Sequence, residues 1–282
     1  MTTIISVSEL DNLLKNEDIL LLDCRFDLVD EQYGQESWRK SHIPSSIYVH
    51  LNKDLSAPVT VDTGRHPLPD VSVFKQRLKD WGLTASTHVV AYDDGAGMFA
   101  ARLWWLLRWL GHTNVSVLDG GWSAWTAADK VATTEVRQAP VSADDNYIDS
   151  LTENSAMVVN AEDVSNCLAN EQFRLWDARD PRRFSGEIEP VDKKAGHIPG
   201  AENVFFMQNL SDGLFMSPDE LKQRFNKLLS GDDPATVVHM CGSGVTACQN
   251  QLAMEIAGLS GGKLYPGSWS EWINDPDRPT EP

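Results

Sequence analysis

The chain repeats itself at a separation of about 150 residues. "LLDCRF" (21–26) matches "LWDARD" (175–180), "SHIPSS" (41–46) matches "GHIPGA" (196–201), "HVVAYDD" (88–94) matches "TVVHMCG" (236–242), and "GGWSAW" (120–125) matches "GSWSEW" (267–272). The matches fall in the same order in both halves, which chance does not produce. A repeat of this length is a whole domain and not a solenoid unit, so the fold must be one that can occur twice. The segment "ATTEVRQAPVSADDNYIDSLTENSA" (132–156) is polar and weakly periodic, as an interdomain linker is. We therefore expect an N-terminal domain over 1–131, a linker over 132–156 and a C-terminal domain over 157–282. With 282 residues in all, each copy can bury its own core.

Within each copy, short branched runs alternate with helical patterns. Ser6 is placed to cap "VSELDNLLKN", whose Leu10, Leu13 and Leu14 share one face, and Asn160 to cap the matching "AEDVSNCLAN". "ILLLD" (19–23), "HVVAY" (88–92), "VSVLD" (115–119) and "TVVHM" (236–240) are too short for helices and suit buried strands. Helical stretches such as "MFAARLWWLLRWLG" and "SPDELKQRFNKLLS" lie between. This alternation implies an α/β domain, a mostly parallel sheet covered on both faces, occurring twice.

The formal charge of −17 argues against a nucleic-acid or anionic-membrane partner, because phosphate backbones are bound mainly through Lys and Arg. No apolar run reaches the length of a membrane span, and "MTTIISVSELDN" lacks the basic flank and apolar core of a signal peptide, so a cytoplasmic location is expected. The four cysteines, Cys24, Cys167, Cys241 and Cys248, have neither disulfide-framework nor zinc-site spacing, so reduced thiols and no metal are expected.

Cys241 stands apart from the other three. It ends a strand, and "CGSGVTA" must then turn sharply into a helix, at the end of a parallel sheet where such folds bind ligands. Gly242 and Gly244 let successive amide N–H groups converge, and the N-terminal end of the helix that follows adds to the positive potential. Such a cradle favours a thiolate, whereas Cys24, Cys167 and Cys248 read as core residues. A phosphatase loop would carry arginine six residues after the nucleophile, where Ala247 stands. A dithiol redox pair would carry a second cysteine three residues on, where Gly244 stands.

On these motifs the whole chain resembles a tandem-domain rhodanese-family sulfurtransferase, and "CGSGVT" is similar to the active loop of the 3-mercaptopyruvate sulfurtransferases of that family. The resemblance implies that Cys241 is the nucleophile, within a loop formed by Gly242, Ser243, Gly244, Val245 and Thr246. It implies that the N-terminal copy is inactive, since Asp93 holds the cysteine position. It also implies a persulfide passed from a small-molecule sulfur donor to a thiol acceptor, such as thioredoxin or glutathione, or to cyanide, without a cofactor. Gly242 and Ser243 replace the basic residues that thiosulfate-preferring members carry after the cysteine, which favours 3-mercaptopyruvate. The alternatives are a thiosulfate:cyanide sulfurtransferase and a non-catalytic persulfide carrier. Arg183 occupies the family's first carboxylate-binding position. The second, after "EP", is Val191, leaving Lys193 or Lys194 as substitutes. The family's proton-relay acid aligns with Asn52, with Asp54 nearby. Ser243 is expected to act in a relay.

Other residues read more plainly. Arg65 and His66 in "GRHPLP" fit either a cleft lining or a polar loop. His42 and His197 recur in both copies, as do Arg25 and Arg179, and so are expected to serve the fold. Arg182 reads as a structural or surface charge. Trp104, Trp105, Trp109, Trp269 and Trp272 read as core.

Overall fold

The computed structural model describes residues 2–16, 19–136, 143–170 and 173–282. The chain divides into two compact units, each described by itself. The first holds residues 1–57, 69–154 and 212–214, and the second holds residues 58–68, 155–211 and 215–282.

The first unit carries β1 (Ile4–Ile5), α1 (Val7–Asn16), β2 (Ile19–Asp23), α2 (Tyr33–Lys40), β3 (Ile47–Tyr48), α3 (Leu51–Asp54), α4 (Val71–Asp80), β4 (His88–Tyr92), α5 (Met98–Leu110), β5 (Val115–Leu118), α6 (Gly121–Ala127) and α7 (Asp145–Ser150). Its sheet runs β1-β5-β4-β2-β3, with every pairing parallel. β2 is buried along its whole length, so "ILLLD" reads as a continuous apolar run and not as an alternation. Ser6 caps α1 as expected: its Oγ accepts from the Glu9 amide, and the Glu9 carboxylate accepts from the Ser6 amide. The expected linker is not wholly irregular, because α7 forms within it on an Asp144 cap.

The rest of the chain carries α8 (Ala161–Asn170), β6 (Arg174–Asp177), α9 (Pro181–Phe184), β7 (Glu202–Asn203), β8 (Leu210–Ser211), β9 (Leu214–Phe215), α10 (Pro218–Leu229), β10 (Val237–Met240), α11 (Thr246–Ile256), β11 (Lys263–Leu264) and α12 (Ser268–Trp272), all in the second unit except Leu214. The parallel sheet here runs β11-β10-β6-β7. Asn160 and Asp163 exchange side-chain and amide bonds at 2.9 Å, capping α8. Successive residues of β10 face opposite cores: Val238 and Met240 pack with Trp269 and Trp272, and Val237 packs with Trp176 and Phe225. The strand is thereby pinned from both sides at the point where it releases Cys241.

All five tryptophans assigned to the core are buried, as are Cys24 and Cys248. The side chain of Cys167 lies outside the described residues. Arg25 and Arg179 make matching contacts. Each forks onto the aspartate two residues before it and lies over a tryptophan, Trp122 at 4.6 Å and Trp269 at 4.8 Å. Each also donates to a carbonyl ahead of the "HIP" segment, Ser41 or Gly196. His42 and His197 bond backbone carbonyls of Trp38 and Phe184. No helix among the described residues is long and apolar enough to cross a membrane.

Candidate active site

β10 delivers Cys241 into a turn of the backbone, where its side chain is buried. Its Sγ accepts from the amides of Ser243 at 3.5 Å and Gly244 at 3.1 Å. The turn requires glycine at 244, whose φ is +75° and where a Cβ would lie 2.5 Å from the Pro266 carbonyl oxygen. Val245 is buried and Thr246 opens α11, so the N-terminal end of that helix follows the cradle directly. Cys248, in the first turn of α11, is buried with its Sγ 3.3 Å from the Gly244 carbonyl oxygen.

The start of α12 clamps this turn. The Cys241 amide donates to Ser268 Oγ at 3.1 Å, and that hydroxyl donates to the Tyr265 carbonyl. The Trp269 amide donates to the Cys241 carbonyl, and the Ser270 amide to the Gly242 carbonyl. Ser268 achieves this at a φ of +52°, fully buried, a conformation that costs a non-glycine residue about 1–2 kcal/mol. Ser270 Oγ in turn accepts from the Arg65 amide at 3.0 Å, tying the segment 58–68 to the loop.

Two guanidiniums stand over the loop. A Cβ on Gly242 would lie 2.7 Å from Arg65 Nη2 and 3.6 Å from Arg183 Nη2. Arg65 forks onto Asp192 at 2.9 and 3.1 Å. Arg183 holds Glu189 at 2.7 Å and Asp192 at 3.0 Å. Burial pushes the Glu189 pKa up, but Arg183 and the amides of Val191 and Asp192 outweigh it and hold the group below the ordinary glutamate value. The cation that shares Asp192 with Arg183 is Arg65. Lys193 donates instead to Asn274 at 3.0 Å, and the Lys194 carbonyl receives the Trp269 indole. Arg182 pairs with Glu187 at the surface.

Ser243 is buried, and its Oγ lies 2.7 Å from His66 Nδ1; the imidazole tautomer decides which of them donates. Sequence reasoning gave His66 no role beyond a cleft or loop residue, because 177 positions separate it from Ser243. Asn52, at the expected relay-acid position, donates to Glu31, and Asp54 pairs with Arg77 at 3.0 Å. Among the described residues no group of three or more His, Cys, Asp or Glu side chains could hold a metal ion.

The rhodanese-like domain model matches residues 6–128 and again 160–275. The chain belongs to the rhodanese family. A Pseudomonas aeruginosa relative named "Probable 3-mercaptopyruvate sulfurtransferase" is 45% identical over 98% of this chain and 96% of its own. A Mycobacterium tuberculosis protein provisionally named as the thiosulfate sulfurtransferase SseB is 37% identical, covering 98% and 95%. The crystal structure of Escherichia coli SseA, described as a 3-mercaptopyruvate sulfotransferase with the rhodanese fold, superposes at a TM-score of 0.79 with 28% identity, covering 96% of this chain and all of that one.

Both rhodanese copies keep the strand-to-helix turn, but only the second offers a thiol. In the first, the Asp93 carboxylate accepts from the amides of Gly95, Gly97, Phe99 and Ala100 at 2.9–3.3 Å. Full burial raises its pKa above the ordinary aspartate value, against the pull of those four amides.

Proposed function

We propose that Cys241 carries sulfane sulfur taken from 3-mercaptopyruvate. The observation that carries this reading is the convergence of Arg65 and Arg183 on bare Gly242, one residue from a thiol that faces two amides. A donor whose carboxylate rests on the guanidiniums brings its sulfur to the cradle, and arginine suits a carboxylate by its planar fork.

In the first half-reaction the Cys241 thiolate attacks the donor sulfur. The donor's carbon–sulfur bond breaks, and its electron pair leaves on carbon as the pyruvate enolate. The proton that the donor thiol carried returns to that enolate, with Ser243 and His66 as the relay in place of the carboxylic acid expected near Asn52. The amides of Ser243 and Gly244 stabilise the negative charge on the persulfide. In the second half-reaction an acceptor thiolate attacks the outer sulfur. The sulfur–sulfur bond breaks, its electron pair returns to Cys241, and the acceptor leaves as a persulfide; cyanide leaves as thiocyanate. Thioredoxin and glutathione are the acceptor classes we propose, in a cytoplasmic setting.

The same guanidiniums also suit a sulfonate, which keeps thiosulfate as the second reading. Steady-state kinetics with both donors decide between them. We expect a higher kcat/KM for 3-mercaptopyruvate, and Arg183→Ala to reduce that reaction roughly tenfold more than the thiosulfate reaction. Equal or better use of thiosulfate by the wild type would reject the donor assignment and leave the nucleophile standing.

A further inference from the structure

Arg65 and Arg183 do not meet an arriving anion as two uncompensated charges. Asp192 lies between them, its side chain 4% exposed, with one oxygen taking Arg65 Nε and the other taking Nη2 of both arginines. Glu189, equally buried, takes the Nε and Nη2 edge of Arg183. Arg179 is spent on Asp177 and the Gly196 carbonyl, with Nη1 3.6 Å from Glu189. Three guanidiniums therefore face three carboxylates, and the cluster beside Gly242 is formally neutral. The Nη1 groups of Arg65 and Arg183 make no hydrogen bond among the described residues, so each arginine keeps a donor for a ligand while its charge is already balanced.

Such a site offers hydrogen bonds without surplus charge. A singly charged head group can use the donors at little electrostatic cost. A doubly charged one brings a second negative charge toward Asp192 and finds no cation to offset it, in a partly buried setting where solvent screens poorly.

We propose that Asp192 sets the charge selectivity of the donor site, favouring singly charged donors over doubly charged ones. This rests on the reading of Arg65 and Arg183 as the donor's anion site, and it makes Asp192 a positioning residue that acts through both arginines. It bears directly on the choice between 3-mercaptopyruvate, a monoanion through its carboxylate, and thiosulfate, a dianion.

Two measurements test it. The first compares kcat/KM for both donors in wild type and Asp192→Asn. The ratio of thiosulfate to 3-mercaptopyruvate should rise about tenfold or more, since one unit of charge at contact range changes binding by at least that factor. An unchanged or lowered ratio overturns the proposal, and a uniform loss with both donors is what a merely structural role would give. The second needs no variant. Methanesulfonate and sulfate share a tetrahedral head but differ by one charge, and each is titrated as a protectant of Cys241 against iodoacetamide. Methanesulfonate should protect the wild type at lower concentration than sulfate, and equal or better protection by sulfate overturns the proposal even if Asp192→Asn fails to fold. Mass spectrometry of donor-treated protein keeps the two readings separate. Without added sulfur on Cys241 from either donor the sulfur-transfer reading falls, while the protection order still decides the role of Asp192.

Discussion

The two loops that end β4 and β10 have the same length and are docked by the same backbone bonds, yet their first residues do opposite things. Asp93 turns its carboxylate back into its own loop and saturates four amides. Cys241 places one sulfur before two amides, the nearer at 3.1 Å. Trp122 and Ser123 donate to the carbonyls of Asp93 and Asp94 just as Trp269 and Ser270 donate to those of Cys241 and Gly242. One cradle is filled by an internal carboxylate that takes four amides, and the other holds a sulfur that takes two. The frame is common to both, and chemistry is decided by what occupies it.

The hardest way to break the comparison is to remove the thiol. Cys241→Ser should abolish sulfur transfer with every donor, and Asp93→Asn should leave it unchanged, as steady-state turnover and the mass of donor-treated protein would report. A sulfur mapped to Cys24 or Cys248 would overturn the assignment.

The docking segment gives the next effect. Gly121 and Ser268 occupy the same place with φ of +50° and +52°. A side chain at 121 would put its Cβ 2.3 Å from the Asp93 carbonyl oxygen. Gly121→Ser should therefore cost about 3 kcal/mol or more, backbone strain and overpacking combined, read as a fall in the denaturant midpoint.

His239 sharpens the contrast along the strands, since its counterpart in β4 is Ala91. It is fully buried, neither ring nitrogen has a partner, and burial lowers its pKa to about 3. The unfolded chain, with an ordinary histidine pKa of about 6.5, binds the proton more readily. Stability from this group is therefore present above about pH 6.5 and lost as pH falls toward about 3, amounting to about 2 kcal/mol between pH 7 and pH 5. In the first unit Asp94 acts in the opposite sense. Burial raises its pKa to about 6, so protonation favours the fold as pH falls through that value. Chemical denaturation at both pH values should show a flatter acid limb for His239→Leu and a steeper one for Asp94→Asn.

Ser268→Gly is the smallest change and the most diagnostic. Glycine relieves the left-handed backbone but removes the hydroxyl that receives the Cys241 amide. We expect the relieved strain and the two lost hydrogen bonds to offset each other to within about 1 kcal/mol while sulfur transfer falls roughly tenfold. Stability and activity moving together would assign the residue to the fold alone.

Much of this was legible in the sequence because duplication writes its evidence twice. Paired strings located the central strands, the recurring Arg25 and Arg179 and the loop that carries Cys241, and periodicity located the core tryptophans. The anion cluster was not legible. Asp192 meets Arg65 across 127 positions and Ser243 meets His66 across 177, and contacts between distant loops have no period to betray them. Val191 stands where a second arginine was sought, and position along the chain suggested the neighbouring lysines. In the structure Arg65 is the residue that shares Asp192 with Arg183, and Lys193 donates to Asn274. Helix α7 was missed for a simpler reason, since six residues with one buried isoleucine give almost no amphipathic signal.

Residues 58–68 belong to the first copy by descent and to the second unit by packing. A half-gene beginning after the linker would encode Cys241 without Arg65 and His66, which bond Ser270 and Ser243, so the second unit as it packs here is not encoded by the second half alone. The second unit is thus built around a strap whose two ends run into the sequence of the first.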